Sequence, residues 1–104
     1  MWRKNRSPNE KCAGVDLNRN FDIGFNDTSR NGCSNSYGGP EPESEIETVT
    51  MIQLLSSNQQ RIKATLFIHS FSQLWLSPYG YQTASLPADY SEMVRISITN
   101  GRQQ

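Results

Sequence analysis

The sequence predicts an α/β fold in which helices pack on a mixed, largely parallel β-sheet. Three observations carry that expectation. Apolar residues between Glu43 and Ser56 recur at helical spacing. The run ATLFI, Ala64 to Ile68, has the length and composition of a strand buried on both faces, as in parallel sheets under helices. The elements follow one another as strand, loop, helix, strand, helix, which is an α/β order.

The first element is read in Gly14 to Phe21, where side chains alternate. Val15, Leu17 and Arg19 fall on one face, and Asp16, Asn18 and Asn20 on the other. This predicts a short strand running into a functional loop. Asp22 to Pro42 is rich in Gly, Asn, Ser and Pro and reads as a long irregular loop, uncommon unless functional or disordered. Pro42 suits the first position of the following helix, and Glu43, Glu45 and Glu47 suit its positive end. Ile46, Val49, Ile52 and Leu55 form its expected buried stripe. Ser77 to Tyr81 reads as a turn. A second helix is expected from Ala88 to about Thr99, with Tyr90, Met93, Val94 and Ile98 on its apolar side.

Composition narrows the function. Ten basic and ten acidic residues give a formal net charge of zero, which argues against a general nucleic-acid or membrane binder. No apolar run approaches the ~18 residues of a membrane span. The basic start MWRKNRSPNEK leads into no apolar segment and is not a signal peptide. Hydrophobic residues make up 35% of the 104 residues. Even with glycine added this falls below the roughly 45–50% usual for globular domains, so any core is thin and the chain reads as a piece of something larger.

Cys12 and Cys33 both sit in turn-rich sequence. They fit either a disulfide, which would add about 3 kcal/mol by constraining the unfolded chain, or two free thiols. Asn26-Asp27-Thr28 matches an N-glycosylation acceptor. Asn5-Arg6-Ser7 also matches but is followed by Pro8.

Four residues stand out chemically. His69 is the only histidine and follows the ATLFI run directly, at a strand end where α/β sheets place ligands. Imidazole ligates zinc, but a zinc site needs three or four protein groups, and a lone histidine there is more often structural. Asn18 and Arg19 combine an amide with a planar guanidinium fork that matches a carboxylate. The plainer alternative is a salt bridge from Arg19 to Asp16 or Asp22. Arg3 can stabilise an oxyanion developing at a carbonyl, or simply belong to a solvated basic terminus.

Taken in series, the segments MWRKNRS (1–7), GVDLNRNF (14–21), the cysteine pair 12 and 33, YGGPEPESEIE (37–47) and IHSFSQLWLSPYGY (68–81) resemble the zinc metallocarboxypeptidases of the pancreatic carboxypeptidase A/B type. The resemblance implies the central part of a catalytic domain across residues 1–104, and an α/β sheet present only as an incomplete fragment. It implies that His69 is a zinc ligand, one of three. Asn18 and Arg19 would hold the substrate's terminal carboxylate, and Arg3 would polarise the scissile carbonyl. Ser70 and Phe71 would line a substrate subsite. Cys12 and Cys33 would form a disulfide of a secreted protein.

The partner implied is a peptide or protein C-terminus, together with the missing remainder of the catalytic domain. At Phe71 the family usually carries tyrosine; the lost hydroxyl removes a hydrogen bond of about 1 kcal/mol. The family's His-x-x-Glu zinc motif and its general-base glutamate have no counterpart here. The chain is therefore expected to be inactive alone. Two other readings are a non-catalytic module that binds peptide C-termini and a pseudo-peptidase.

Overall fold

The computed structural model describes residues 2–70, 74–81 and 85–100, with the backbone alone for 98–100. The chain divides into two compact units, Met1–Leu66 and Phe67–Gln104. Phe71 lies outside the described residues.

The first unit is built largely from irregular chain. Segments 4–7 and 14–16 run side by side: the Asn5 amide donates to the Val15 carbonyl at 2.9 Å, and the Gly14 amide to the Ser7 carbonyl at 2.9 Å. Gly14 has φ +88, and a Cβ there would collide with the Asn5 carbonyl, so this crossing requires glycine. The Asp16 amide donates to the Tyr37 carbonyl at 2.8 Å and brings in the far end of the long loop.

The strand expected in VDLNRNF does not form. Leu17–Arg19 is a 3-10 turn with Asp16 as its N-cap. Short polar side chains offer the backbone local hydrogen bonds that compete with a ladder, and Asp16 does so here. The alternation reading fails with the strand: Asp16 and Asn20 are buried while Asn18 is exposed.

The 22–42 segment is irregular, as expected, apart from a 3-10 turn at Phe25–Asp27 and one isolated bridge between Ser29 and Tyr37. Three ties hold it. Cys12 and Cys33 form a disulfide. The Lys4 Nζ donates to the Gly32 carbonyl at 2.7 Å, with its ammonium 5.8 Å from the centre of the Tyr37 ring. The third tie is Asn20.

Helix α1 spans Ile46–Ser57. It starts later than the sequence suggests. Pro42 lies outside it, Glu43 has φ 58, and Glu45 is the N-cap. The expected stripe is only partly realised. Val49, Ile52 and Leu55 are half-buried, Ile46 is 73% exposed, and the buried residue of α1 is Thr48.

The interior of the first unit is mostly polar. Its buried apolar side chains are Val15, Phe25 and Tyr37, set among buried Lys4, Asp16, Asn20, Glu45 and Thr48. Hydrogen bonding, more than apolar burial, fixes this unit's shape.

ATLFI is not paired into a sheet: no strand forms among the described residues. Leu66, Phe67 and Ile68 are 66%, 58% and 88% exposed. A strand exists only through pairing, and these residues make none among the described residues.

In the second unit, Gly80 and Tyr81 form the expected turn. The Tyr79 and Tyr81 rings meet edge to face at 5.7 Å. Helix α2 spans Tyr90–Asn100, close to the expected bounds, with Tyr90, Met93 and Val94 half-buried and an Arg95–Glu92 pair at 2.6 Å on its surface. No helix among the described residues is long and apolar enough to cross a membrane.

Candidate functional site

Asp16 organises the chemistry of the first unit. Its carboxylate is almost fully buried and has two donors. Oδ1 accepts from the Asn18 amide at 3.3 Å, and Oδ2 from the Arg3 Nε at 2.8 Å. Its carbonyl accepts from the Arg19 amide at 2.8 Å. One residue thus sets the turn that carries Asn18 and Arg19, and also anchors the Arg3 guanidinium.

The geometry leaves both arginines available. Arg3 meets Asp16 through Nε, its side chain is 46% exposed, and no hydrogen bond among the described residues engages its terminal nitrogens. The Arg19 Nη1 donates only to the Asn18 carbonyl, at 3.1 Å. The salt bridge from Arg19 to Asp16 or Asp22 that the sequence allowed is not made, and Asp16 pairs with Arg3 instead. Asn18 and Arg19 are both exposed. An amide and two guanidiniums with uncommitted donors are groups whose chemistry suits a carboxylate.

Asn20 fixes the Asn18–Arg19 turn. It is 0% exposed and uses its whole amide. Nδ2 donates to the Gly38 carbonyl at 2.8 Å, the Ser44 Oγ at 2.9 Å and the Glu41 carbonyl at 3.3 Å. Oδ1 accepts from the Glu45 amide at 3.1 Å, and the Asn20 carbonyl from the Glu43 amide at 2.7 Å. The Asn18–Arg19 turn is thereby joined to the start of α1. Gly39, at φ +99, allows the close approach: a Cβ there would lie 2.6 Å from the Ser44 Oγ and 2.9 Å from the Asn20 Nδ2.

A second amide, Asn5, performs the same task on the other side. Its Oδ1 accepts from the Val15 amide at 2.7 Å, and its Nδ2 donates to the Glu45 Oε2 at 2.6 Å. Burial pushes the Glu45 carboxyl up, but hydrogen bonds from Asn5, Ser7 and Ser44 outweigh it and hold the group below its ordinary value of 4.5. A carboxylate depressed in the folded state contributes stability above the unfolded value, and that contribution is lost as pH falls through the folded value. The first unit should therefore lose stability on acidification below the ordinary carboxylate range. Glu45→Gln should flatten that acid limb in pH-dependent urea unfolding; an unchanged limb would remove Glu45 as its cause.

Sequence reasoning missed Asp16, Asn20 and Asn5 as organising residues. For Asp16 and Asn20 the available signal was the run of short polar side chains among apolar ones in GVDLNRNF; for Asn5 the sequence carried none.

His69 and Ser70 belong to the second unit, and both are exposed. Phe71, expected beside them, is outside the described residues. A zinc centre needs three or four protein ligands. Among the described residues no group of three or more His, Cys, Asp or Glu side chains converges, and His69 is the only histidine. The described residues do not make a zinc site by themselves.

The first unit thus presents exposed Asn18 and Arg19 and a half-exposed Arg3 on a framework of buried amides and a disulfide-tied loop. The zinc carboxypeptidase family model matches residues 1–103, and the chain belongs to that family. Mast cell carboxypeptidase A of Rattus norvegicus is 45% identical over 101 residues, covering 93% of this chain and 24% of that protein. Carboxypeptidase B of Rattus norvegicus is 46% identical over 97 residues, covering 89% of this chain and 23% of that protein. Among solved structures, thrombin activatable fibrinolysis inhibitor superposes with a TM-score of 0.82 at 38% identity, covering 95% of this chain and 26% of that one. The bovine form in complex with tick carboxypeptidase inhibitor gives 0.76 at 43% identity, covering 88% of this chain and 32% of that one. These neighbours establish the α/β carboxypeptidase-type fold class. The chain spans about a quarter of the length of the curated relatives it matches.

Proposed function

We propose that this chain is the central segment of a zinc carboxypeptidase catalytic domain and supplies the wall that reads the substrate's C-terminus. The Arg19 fork and the Asn18 amide hold the terminal carboxylate. Arg3, held by Asp16 at Nε, directs its terminal nitrogens at the scissile carbonyl and stabilises the oxyanion that grows there. His69 contributes one of three zinc ligands, and Ser70 and Phe71 line a subsite. Residues 64–68 join a mixed, largely parallel sheet completed by the rest of the domain. The disulfide between Cys12 and Cys33 fits an extracellular location.

The observation that carries this reading is the partition of Arg3, Asp16 and Arg19. One buried carboxylate holds the first guanidinium by a single edge and leaves the second without a carboxylate partner among the described residues.

Alone, the chain offers one imidazole and no assembled base, so it does not hydrolyse peptides. Purified chain incubated with zinc and a blocked dipeptide should give no turnover, whereas the full-length product that contains it should release the C-terminal residue. Turnover by the isolated chain would overturn the assignment of roles.

A further inference from the structure

We propose that Asn26 is an N-glycosylation site. The chain holds two Asn-x-Ser/Thr triplets, Asn5-Arg6-Ser7 and Asn26-Asp27-Thr28, and the fold separates them. Asn5 is committed internally. Its amide nitrogen donates to the Glu45 Oε2 at 2.6 Å, and its amide oxygen accepts from the Val15 amide at 2.7 Å and the Ser7 Oγ at 2.9 Å. A sugar on that nitrogen would break the joint between segment 4–7 and α1.

Asn26 is the opposite case. It lies exposed in the 3-10 turn Phe25–Asp27, and no hydrogen bond among the described residues holds its side chain. The turn sits within the loop that the Cys12–Cys33 disulfide closes, so a glycan there projects from an anchored loop.

Thr28 supplies an independent observation. Its Oγ1 is buried and meets no hydrogen-bond partner among the protein's own groups. An unpaired buried hydroxyl is destabilising, and valine would pack the same volume without that cost. The folded unit makes no use of this hydroxyl. Its use falls before folding, when the transferase reads the triplet on the nascent chain.

The reaction joins the Asn26 side-chain nitrogen to the anomeric carbon of a lipid-pyrophosphate-linked oligosaccharide. The carbon–oxygen bond to pyrophosphate breaks, the lipid pyrophosphate leaves with the electron pair, and the amide nitrogen gives its proton to a base of the transferase. The product carries a neutral, bulky, solubilising group.

The inference rests on the extracellular reading above, and the test separates the two. The full chain is translated into microsomes behind a cleavable secretory leader, with protease protection confirming that it is lumenal. One endoglycosidase-sensitive glycan is expected, lost completely in Asn26→Gln and Thr28→Val and retained in Asn5→Gln. Thr28→Val should still form the Cys12–Cys33 disulfide, which shows that the glycan was lost without loss of fold. A lumenal chain without glycan, or a glycan that survives Asn26→Gln, overturns the site. A glycosylated microsomal chain alongside a cytosolic, reduced natural product overturns the localisation and leaves the acceptor site standing.

Discussion

Replacing Asn20 with alanine should loosen the first unit by about 3 kcal/mol, because a fully buried amide then leaves several buried groups without partners. The Glu45 amide, the Gly38 carbonyl and the Ser44 hydroxyl all lose a bond at once. Asp at the same position does no better. It keeps an acceptor for Glu45 but sets a second acceptor against the Gly38 and Glu41 carbonyls, where two donated bonds stood. Native-state hydrogen exchange reads the effect directly. Protection of the Glu43 and Glu45 amides should collapse, while α2, in the other unit, keeps its own rates. Unchanged protection at Glu43 and Glu45 would show that the network is dispensable and that something else holds the turn to α1.

Arg19→Ala, made in the complete catalytic domain, should lower kcat/KM for a peptide with a free C-terminus by about 100-fold, close to 2.7 kcal/mol of lost carboxylate recognition. Most of the loss should appear in KM, since the carboxylate is held in ground and transition states alike. The fold should be untouched, because Arg19 is exposed and its side chain donates only to its neighbour's carbonyl. A C-terminally amidated analogue provides the control: it lacks the charge that Arg19 reads, so wild type and variant should treat it alike. An equal loss on both substrates would move Arg19 out of the clamp and into a structural role.

The two helices were legible in the sequence because their signals are local. Apolar spacing and capping chemistry place α1 and α2 within a few residues of their observed bounds. The start of α1 moved because Glu45 is drawn into hydrogen bonds with Asn5, a residue far away in sequence, and Asn20 fixes its backbone from another segment. VDLNRNF failed as a strand for a similar reason. Period-two alternation was present, but Asp16 satisfies the Asn18 amide from its own side chain, and that local bond closes a turn. ATLFI carries a strand's composition, yet composition specifies only a willingness to pair. The candidate site was partly legible. Residue type alone singled out Asn18, Arg19 and Arg3 as able to bind an anion. That Asp16 would take Arg3 and leave Arg19 without a carboxylate partner depends on which segments lie side by side, and no periodicity encodes that.

The polar interior of the first unit has a thermal consequence. Heat capacity rises on unfolding when apolar surface meets water and falls when polar surface does. With Asp16, Asn20, Glu45, Thr48 and Lys4 buried beside three buried apolar side chains among the described residues, the polar contribution offsets part of the apolar one. The stability curve of this unit is then shallow. It resists cooling better than a hydrophobic core would.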